Sequence, residues 1–369
     1  MASFQKRGKT WQYTISRMVN GKSVPIRKGG FATKGEAKAA ANEIERKLLK
    51  GVAPVLKDVP FDEYFEEWLD LYKTDIGKNT MDRYLDTLGT IKENFSGVPM
   101  QKITKKIYQK FLNKYAETHS KETTRKLNTH IRACVRDAID EGIIHIDFTR
   151  KVTISGTVPS KKPGEKHLNY FESKRLLKYL SNKLETSTHY LLLLALTSGL
   201  RFGELVGLTE KDFDFKNNIL NIDKTWGYTN KMHEGFGPTK NEASVRKIKI
   251  DAKTMKLFEN WFKNTTKNIH GLVFYSQASK YKVISNGAAN KALATALKNL
   301  NIENIISVHG CRHTHASILL YKRRSIYYVS ERLGHEDIQT TLETYAHILK
   351  ELREQDDKGT IKTFEAMYA

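Results

Sequence analysis

Hydrophobic and polar side chains alternate near the start of the chain. Between Trp11 and Ile15 every second residue is apolar, which is the pattern of a half-buried β-strand. Asn20-Gly21 is a strong hairpin-turn signal, because both residues tolerate positive φ. The pattern predicts a return strand and a third strand beyond this turn, carrying Val24, Ile26 and Phe31.

The spacing of apolar residues becomes helical from Thr33 onward. Thr33 and Glu36 have the separation of a capping box. One apolar face follows, formed by Ala37, Ala40, Ala41, Ile44 and Leu48. Residues 1–55 are therefore expected to fold as a small sheet packed on one helix.

Apolar stripes at helical spacing continue from residue 59 to about residue 146. Four of them occupy residues 61–72, 81–95, 107–115 and 127–138. Amphipathic helices in this number predict a compact bundle over residues 59–150. The aromatic residues in the stripes are interpreted as core rather than as platforms for stacking bases, and Cys134 as a small buried hydrophobe.

The periodicity lapses between residues 151 and 167, where glycine, proline and lysine are frequent. That composition predicts an extended basic linker. Residues 168–369 then mix both patterns: Asn169 is placed to cap a helix, residues 190–196 form a buried helix, and residues 219–222 and 245–250 resemble strands. The predicted fold class is multidomain, mainly α with small β-sheets, ending in a mixed α+β domain.

The charge of the chain points to a partner. Lysine and arginine outnumber aspartate and glutamate by 62 to 41, a formal charge of +21 over 369 residues. Such an excess costs self-repulsion unless a polyanion neutralises it, so nucleic acid is the expected partner. The first 50 residues alone carry +9. The candidate DNA contacts are Lys6, Arg7, Lys9, Arg17, Arg27 and Lys28 there, and Lys161 and Lys162 in the linker.

Composition also excludes several classes of protein. No apolar run approaches the roughly 20 residues that a membrane-spanning helix needs, and the start has no apolar stretch typical of a signal peptide. Two cysteines are too few for a disulfide framework or a cysteine-based zinc finger. A cytoplasmic protein is expected.

An arginine follows a glycine-containing break in the mixed domain. Arg201 comes two residues after Gly199, where the next helix is predicted to begin. A positive charge at a helix start opposes the helix dipole. Either an anionic target or an ion pair with Glu204 would compensate it, and the sequence leaves both open.

Histidines and a cysteine alternate between His309 and His315. His309 and His313, like Cys311 and His315, are four residues apart, a spacing that suits metal ligands on a helix. The two pairs point to different faces, however, and Arg312 between them would repel a cation. The preferred interpretation is a helix N-terminus that presents His309 and Arg312 toward an anion. His313 is then a packing or capping residue.

A tight turn is predicted around His335. Gly334 suits the left-handed residue that ends a helix, and Asp337 is suited to cap the next helix. Tyr345 lies about two turns into that second helix. Such a tyrosine either packs against the domain or presents its hydroxyl.

These segments occur in a characteristic order. Arg201 in S-G-L-R-F-G-E-L, His309-x-x-Arg312, Leu333-Gly334-His335 and Thr341-x-x-x-Tyr345 together resemble the tyrosine recombinase (phage integrase) family. The resemblance spans nearly the whole chain. Residues 1–55 resemble the arm-type DNA-binding domain of that family, 59–150 its helical core-binding domain, and 168–369 its catalytic domain with a C-terminal tail.

The resemblance implies a set of catalytic residues. They are Arg201, Lys240, His309, Arg312, His335 and the nucleophile Tyr345. The lysine is expected on a β-hairpin between the first arginine and His309; Lys240 fits, with Lys231 and Lys247 as alternatives. The implied reaction is DNA strand transesterification through a 3′-phosphotyrosine, with no cofactor and no metal ion. His309 is the candidate general base, or a hydrogen-bond donor to the phosphate, and Lys240 the candidate general acid.

The same resemblance implies the partners. It predicts an integrase of a prophage or an integrative conjugative element, acting as a homotetramer on core-type and arm-type attachment sites of double-stranded DNA. An excisionase and a host DNA-bending protein are further implied partners, and the implied location is the cytoplasm, in association with the nucleoid. The alternatives are a type IB topoisomerase-like strand-rejoining enzyme and a non-enzymatic DNA-binding regulator. Cell-division resolvases fit less well, because they usually lack the arm module.

Overall fold

The computed structural model describes residues 2–19, 22–49, 58–159, 163–351 and 353–368. The chain forms two compact units that divide between residues 160 and 161. Helices predominate in both units, and their sheets are small. Within the described ranges, no helix combines the length and the apolar character needed to cross a membrane.

The first unit begins with an antiparallel sheet. This part of the chain contains five strands, three in this sheet and two in a separate small sheet: β1 (Ala2–Arg7), β2 (Thr10–Ile15), β3 (Met18–Val19), β4 (Lys22–Ser23) and β5 (Ile26–Phe31). The sheet has the order β1-β2-β5, and β3 pairs with β4. Strand β1 was not predicted, and Phe31 ends β5 instead of lying on a further strand. The predicted turn residues Asn20-Gly21 lie outside the described residues.

Helix α1 (Lys34–Leu49) covers one face of this sheet. The core between them contains Tyr13, Ile15, Ile26 and Ala41. The amide of Glu36 donates to Thr33 Oγ1 at 3.2 Å, as the capping box predicts. The Glu36 carboxylate, however, accepts from the amide of Ala32 at 3.0 Å and not from that of Thr33. The helix start is thus stabilised one residue further upstream than expected.

A helical bundle completes the first unit. Its helices are α2 (Phe61–Tyr72), α3 (Lys78–Phe95), α4 (Lys105–Ala116) and α5 (Lys121–Asp140). The aromatic residues of the stripes are core, as predicted; Trp68, for example, is 1% exposed. In α4 the inner face is rotated relative to the predicted stripe over residues 107–115, so that Tyr108 is buried and Ile107, at the start of that stripe, is exposed.

The predicted linker is anchored along its first half. Val152 and Ile154 pack against the bundle core, and the amide of Thr157 donates to the carbonyl oxygen of Ala116 at 3.0 Å. Gly156 lies so close to α5 that a Cβ there would clash with the backbone amide of Lys121. Apolar burial therefore fixes this segment, whereas the composition had suggested an extended tether. Lys161 and Lys162 lie outside the described residues.

The second unit mixes helices with short strands. Its elements are α6 (Tyr170–Asn182), α7 (Ser187–Ser198), α8 (Phe202–Val206), β6 (Phe213–Asp214), β7 (Ile219–Ile222), β8 (Thr225–Trp226), β9 (Phe236–Gly237), β10 (Arg246–Lys249), α9 (Ala252–Asn264), α10 (Asn286–Asn299), α11 (Val308–Tyr321), α12 (Ile326–Leu333), α13 (Ile338–Glu351) and α14 (Arg353–Met367). The predicted helix over residues 190–196 is the buried α7. Asn169 caps α6 together with Glu172, as expected.

The ends of two helices and the starts of two others position the candidate residues. Strand β7 pairs with both β6 and β10, and β8 pairs with β9. Gly199 and Gly334, with φ of 71° and 69°, end α7 and α12 in the left-handed conformation that glycine adopts most readily. Ser307 caps α11, and Asp337 accepts from the amide of Gln339 at the start of α13. These breaks bring the starts of α8 and α11 beside the turn between α12 and α13.

Candidate active site

Arg201 stands at the N-cap of α8, directly after the break that ends α7. Its Nη1 donates to Glu204 Oε1 at 2.8 Å and to Ser244 Oγ at 2.9 Å. Its Nη2 donates to the carbonyl oxygen of Gly334 at 2.8 Å. Of the two compensations that the sequence left open, the ion pair with Glu204 is present. These bonds fix the guanidinium beside the turn that carries His335.

Arg312 lies in the first turns of α11 and is 3% exposed. Its Nη1 donates to the carbonyl oxygen of Gly199 at 2.8 Å, and its Nη2 to that of Leu333 at 2.7 Å. Burial, and then repulsion from Arg201, lowers the pKa of Arg312 to about 9. A bound anion strongly stabilises a buried guanidinium whose hydrogen bonds go only to neutral oxygens. The two arginines thus form a positively charged pair suited to phosphate.

Glu204 is the buried carboxylate between two guanidinium groups. Arg246, on β10, donates to both of its oxygens, at 3.3 and 3.0 Å, and Arg201 donates to one of them from its guanidinium and to the other from its backbone amide. Burial alone would raise the pKa of Glu204, but Arg246 and Arg201 outweigh it and hold the pKa below its ordinary value. The carboxylate therefore stays charged and keeps Arg201 oriented.

His335 lies in the predicted turn between α12 and α13. Its Nδ1 is 2.7 Å from Thr341 Oγ1, on the first turns of α13. Burial, followed by repulsion from Arg312 and Arg201, lowers the pKa of His335 to about 4. The ring is therefore neutral at neutral pH and can donate one hydrogen bond from Nε2 when Nδ1 accepts.

Tyr345 lies two turns into α13 and is 2% exposed. Its ring packs in a small apolar cluster with Ala316, Leu320, Val329 and Leu333. Its hydroxyl is 3.0 Å from Nδ1 of His313. Of the two expectations for this tyrosine, packing describes the ring, while the hydroxyl meets the one histidine that had been assigned a packing or capping role.

His309 lies in the first turn of α11 and is exposed. Its ring meets that of His313 edge to face, with centroids 4.8 Å apart. Desolvation of the ring, and then Arg312 and Arg201, lowers the pKa of His309. His309 and Arg312 therefore lie together at a helix N-terminus, as the sequence predicted, where a phosphate is favoured.

Lys240 is exposed and lies between β9 and β10. The segment that follows it is tied to the other site residues: Asn241 Nδ2 donates to Glu336 Oε2 at 3.2 Å, and Ser244 Oγ accepts from Arg201. These contacts hold the start of that segment beside the turn at residues 334–336. Lys247 lies on β10, three residues after Ser244, and is also exposed.

His315 and Arg332 form a buried pair behind the arginines. Arg332 Nε donates to His315 Nε2 at 2.9 Å, while His315 Nδ1 faces the carbonyl oxygen of Leu196 at 3.0 Å. The proton of the neutral ring therefore lies on Nδ1. Burial, and then Arg332, lowers the pKa of His315 to about 3. This pair joins α7, α11 and α12 without reaching the reacting groups.

The basic residues of the N-terminal sheet do not share one face. Strand register pairs Arg7 with Thr10 and Arg27 with Thr14, on the face away from α1. Lys28 is paired with Tyr13, a residue of the core, and Lys6 is two residues from Phe4 on that same face. Lys9 is in the turn after β1 and is exposed, and Arg17 follows β2 and is half-buried. Arg7 and Arg27 thus lie on the outer face of the sheet, among otherwise polar residues.

Sequence reasoning assigned no site role to His313 or Arg246. A signal for His313 was available, because it lies four residues from His309 and so on the same side of α11. Arg246 had none, since its contact with Glu204 joins residues 42 positions apart. Among the described residues, no group of three or more histidine, cysteine, aspartate or glutamate side chains is arranged to hold a metal ion.

Comparisons with known proteins cover most of the chain. A family described as "Phage integrase family" matches residues 166–351, "Phage integrase, N-terminal SAM-like domain" matches residues 60–116, and "Arm DNA-binding domain" matches residues 3–48. The integrase of Staphylococcus phage L54a is 26% identical over 348 residues, which are 86% of this chain and 97% of the phage protein.

Two solved structures show the same fold. One is a fragment of the Tn1549 transposon integrase in complex with circular intermediate DNA, at 17% identity and a TM-score of 0.65, covering 78% of this chain and 95% of that one. The other is a lambda integrase tetramer bound to a Holliday junction, at 17% identity and a TM-score of 0.57, covering 88% and 93%.

Proposed function

The chain belongs to the phage integrase family of tyrosine recombinases, and on that premise we propose that Arg201, Lys240, His309, Arg312, His335 and Tyr345 form its active site. It is an enzyme of site-specific DNA recombination. The observation that carries the assignment of the site is the pair of arginines, each hydrogen-bonded to one of the consecutive carbonyl groups of Leu333 and Gly334. Those bonds bring both guanidinium groups beside His335.

The reaction exchanges one phosphodiester bond for another. Tyr345 Oη attacks the phosphorus, the P–O5′ bond breaks, and the products are a 3′-phosphotyrosine and a free 5′-hydroxyl. A 5′-hydroxyl from the partner strand then attacks the phosphotyrosine and restores Tyr345. Each step makes and breaks one P–O bond, so no external energy source is needed.

The guanidinium groups of Arg201 and Arg312 stabilise the transition state. Negative charge grows on the non-bridging phosphate oxygens as Tyr345 attacks, and Arg201 and Arg312 offer planar, preorganised donors to it. His309 and the neutral His335 add hydrogen bonds to the same phosphate. Because both arginines are already held by carbonyl or carboxylate oxygens, little reorganisation is needed when the phosphate binds.

Lys240 is the proposed general acid. It would donate the proton that the leaving O5′ requires. This assignment is supported by the adjacent segment, in which Asn241 is hydrogen-bonded to Glu336 and Ser244 is hydrogen-bonded to Arg201. Lys231 and Lys247 are the alternatives to be tested beside it.

The domain layout suggests how DNA is held. We assign residues 1–55 to arm-type sites, with Arg7 and Arg27 on the outer face of the sheet as the leading contacts, and residues 59–150 with 168–369 to core-type sites. Basic residues in these domains would give the protein salt-dependent affinity for DNA. Lys6, Lys9, Arg17, Lys28, Lys161 and Lys162 remain further candidates.

The assembly we propose is a homotetramer on two DNA duplexes, serving the integration and excision of a mobile element. An excisionase and a DNA-bending protein of the host belong to the same proposal, as does association with the nucleoid. Helix α14 exposes Ile361, Phe364 and Met367, an apolar surface suited to packing against a neighbouring subunit.

A covalent-capture experiment tests this function. Wild-type protein and Tyr345→Phe are incubated with nicked core-site DNA from the element's own attachment site, and adducts that resist SDS are separated on a gel. The wild type should form the adduct, and Tyr345→Phe should bind the DNA without forming it. An adduct with the variant contradicts the assignment of the nucleophile, and no adduct with the wild type favours a binding regulator. Rejoining confined to the same strand favours a topoisomerase.

A further inference from the structure

The hydroxyl of Tyr345 is hydrogen-bonded to His313. Oη and Nδ1 are 3.0 Å apart, and the two rings meet edge to face with centroids 5.9 Å apart. The bond joins α11 to α13 and lies at the polar end of an otherwise apolar cluster. His313 therefore touches the atom that the proposed reaction uses as its nucleophile.

The phenol needs a proton acceptor within reach. The ordinary pKa of tyrosine is about 10. Burial, partly opposed by Arg312, raises the pKa of Tyr345 further. Ionisation before attack is therefore suppressed, and the proton must leave as the bond to phosphorus forms. The ring of His309 contacts His313, whereas the hydrogen bond of the phenol in the described structure goes to His313.

The surroundings of His313 keep it in the form that can accept a proton. Burial, followed by the charges of His309, Arg312, Lys166 and His167, lowers the pKa of His313 to about 4, so the ring is neutral. Nδ1 accepts from the phenol when the ring proton lies on Nε2. A phosphodiester bound at Arg312 would offset these positive charges and raise the basicity of the ring, so the base would strengthen when DNA arrives.

We propose that His313 is the general base of the cleavage step. Its Nδ1 takes the proton of Tyr345 as the Oη–P bond forms and the P–O5′ bond breaks, and Lys240 donates the proton that the leaving O5′ requires. His309 then serves the phosphate and not the phenol. This inference rests on the proposed function, because it assigns a partner to the nucleophile of that reaction.

Two histidine variants and an acidified nucleophile test the inference. His313→Gln keeps a side chain that can hydrogen-bond but cannot act as a base at neutral pH, and His309→Gln is its matched control on the same helix. Each is prepared with tyrosine or with a ring-fluorinated tyrosine of lower pKa at position 345. Single-turnover formation of the covalent adduct is then measured on nicked core-site DNA, and melting curves check that each variant folds.

The base role predicts a specific rescue. His313→Gln should slow cleavage by about 10²-fold with unchanged DNA affinity, and the fluorinated nucleophile should recover about tenfold or more of that loss, because it needs less help to ionise. His309→Gln should gain no comparable recovery. If the hydrogen bond only held the Tyr345 hydroxyl away from the DNA, His313→Gln would cleave at or above the wild-type rate. That result would overturn the proposal. So would a loss that fluorination leaves unchanged. Absence of any adduct with the wild type would instead refute the proposed function.

Discussion

Arg201 Nη2 donates to the carbonyl oxygen of Gly334 at 2.8 Å. The bond joins an arginine at the start of α8 to the residue that ends α12, 133 positions further along the chain. Because Gly334 precedes His335, the position of the arginine and that of the histidine are fixed together. Arg312 makes the equivalent bond to Leu333, so the same turn orients both guanidinium groups.

The geometry of these bonds predicts that lysine cannot replace either arginine. Arg201→Lys and Arg312→Lys keep the charge but lose the fork that contacts a carbonyl group and a phosphate together. We expect cleavage to fall by about 10²- to 10³-fold with site affinity largely retained, measured by adduct formation and by gel shift. Lys298→Arg, on an exposed part of α10, is the control for a change of cation type. Near-normal cleavage by the Arg312 variant would contradict its role.

The proposed acid can be bypassed chemically. Lys240→Ala should slow cleavage of ordinary DNA by about 10²-fold or more. The loss should largely disappear on a substrate with sulfur in place of the bridging 5′ oxygen, since a thiolate leaves without being protonated. Lys231→Ala and Lys247→Ala are the matched controls. If one of these two shows the defect and its sulfur rescue instead, the acid is that lysine.

The ionised carboxylate of Glu204 should stabilise the folded protein. Glu204→Gln leaves Arg246 and Arg201 without their shared carboxylate, which should lower the free energy of unfolding by about 3–5 kcal/mol. Since the pKa of Glu204 is lowered in the folded protein, its contribution is present above the unfolded value of about 4.3 and is lost as pH falls through the folded value. Urea denaturation should therefore show the two proteins converging in acid. Glu259→Gln, which breaks surface ion pairs, should leave the free energy of unfolding nearly unchanged.

His315 should make stability depend on pH. Its pKa is about 3 in the folded protein and about 6.5 in the unfolded chain. Between these values the unfolded chain holds a proton on this ring that the folded chain does not, so His315 contributes about 1.4 kcal/mol per pH unit to the rise of the free energy of unfolding with pH, and this contribution ends above about 6.5. The lowered pKa values of His313 and His335 add to the same slope. His315→Gln should reduce the slope by about the contribution of one histidine, measured by urea denaturation at several pH values. Equal slopes in the wild type and His315→Gln would refute the link.

The two faces of the N-terminal sheet should differ in DNA binding. Arg7→Gln with Arg27→Gln removes two cations from the outer face, and Lys6→Gln with Lys28→Gln removes two from the face that also carries the core residues. The first pair should weaken arm-site binding more and reduce the slope of log affinity against log salt by about 0.9 for each lost phosphate contact. Fluorescence anisotropy over a salt series measures both. Equal losses would mean that the outer face is not the contact surface.

Periodicity predicted the local elements because it reports on burial. The stripes over residues 61–72 and 127–138 became α2 and α5, and the strand pattern over residues 245–250 became β10. The prediction failed where tertiary contacts determine which residues are buried. Tyr108, and not Ile107, faces the core at α4. Val152 and Ile154 pack against the bundle core, although the composition of their segment resembled an extended tether. Strand β1 was missed because its few apolar residues gain burial only from β2 and α1.

The sequence by itself determined the family, through the order of short segments around Arg201, His309, Arg312, His335 and Tyr345. It also determined the helix ends at Gly199 and Gly334, since those depend on a few neighbouring residues. Only the tertiary structure decided that Arg246 shares Glu204 with Arg201, and that His313 contacts the nucleophile. Such pairs join residues tens of positions apart, and local spacing carries no information about contacts that form only when helices pack together.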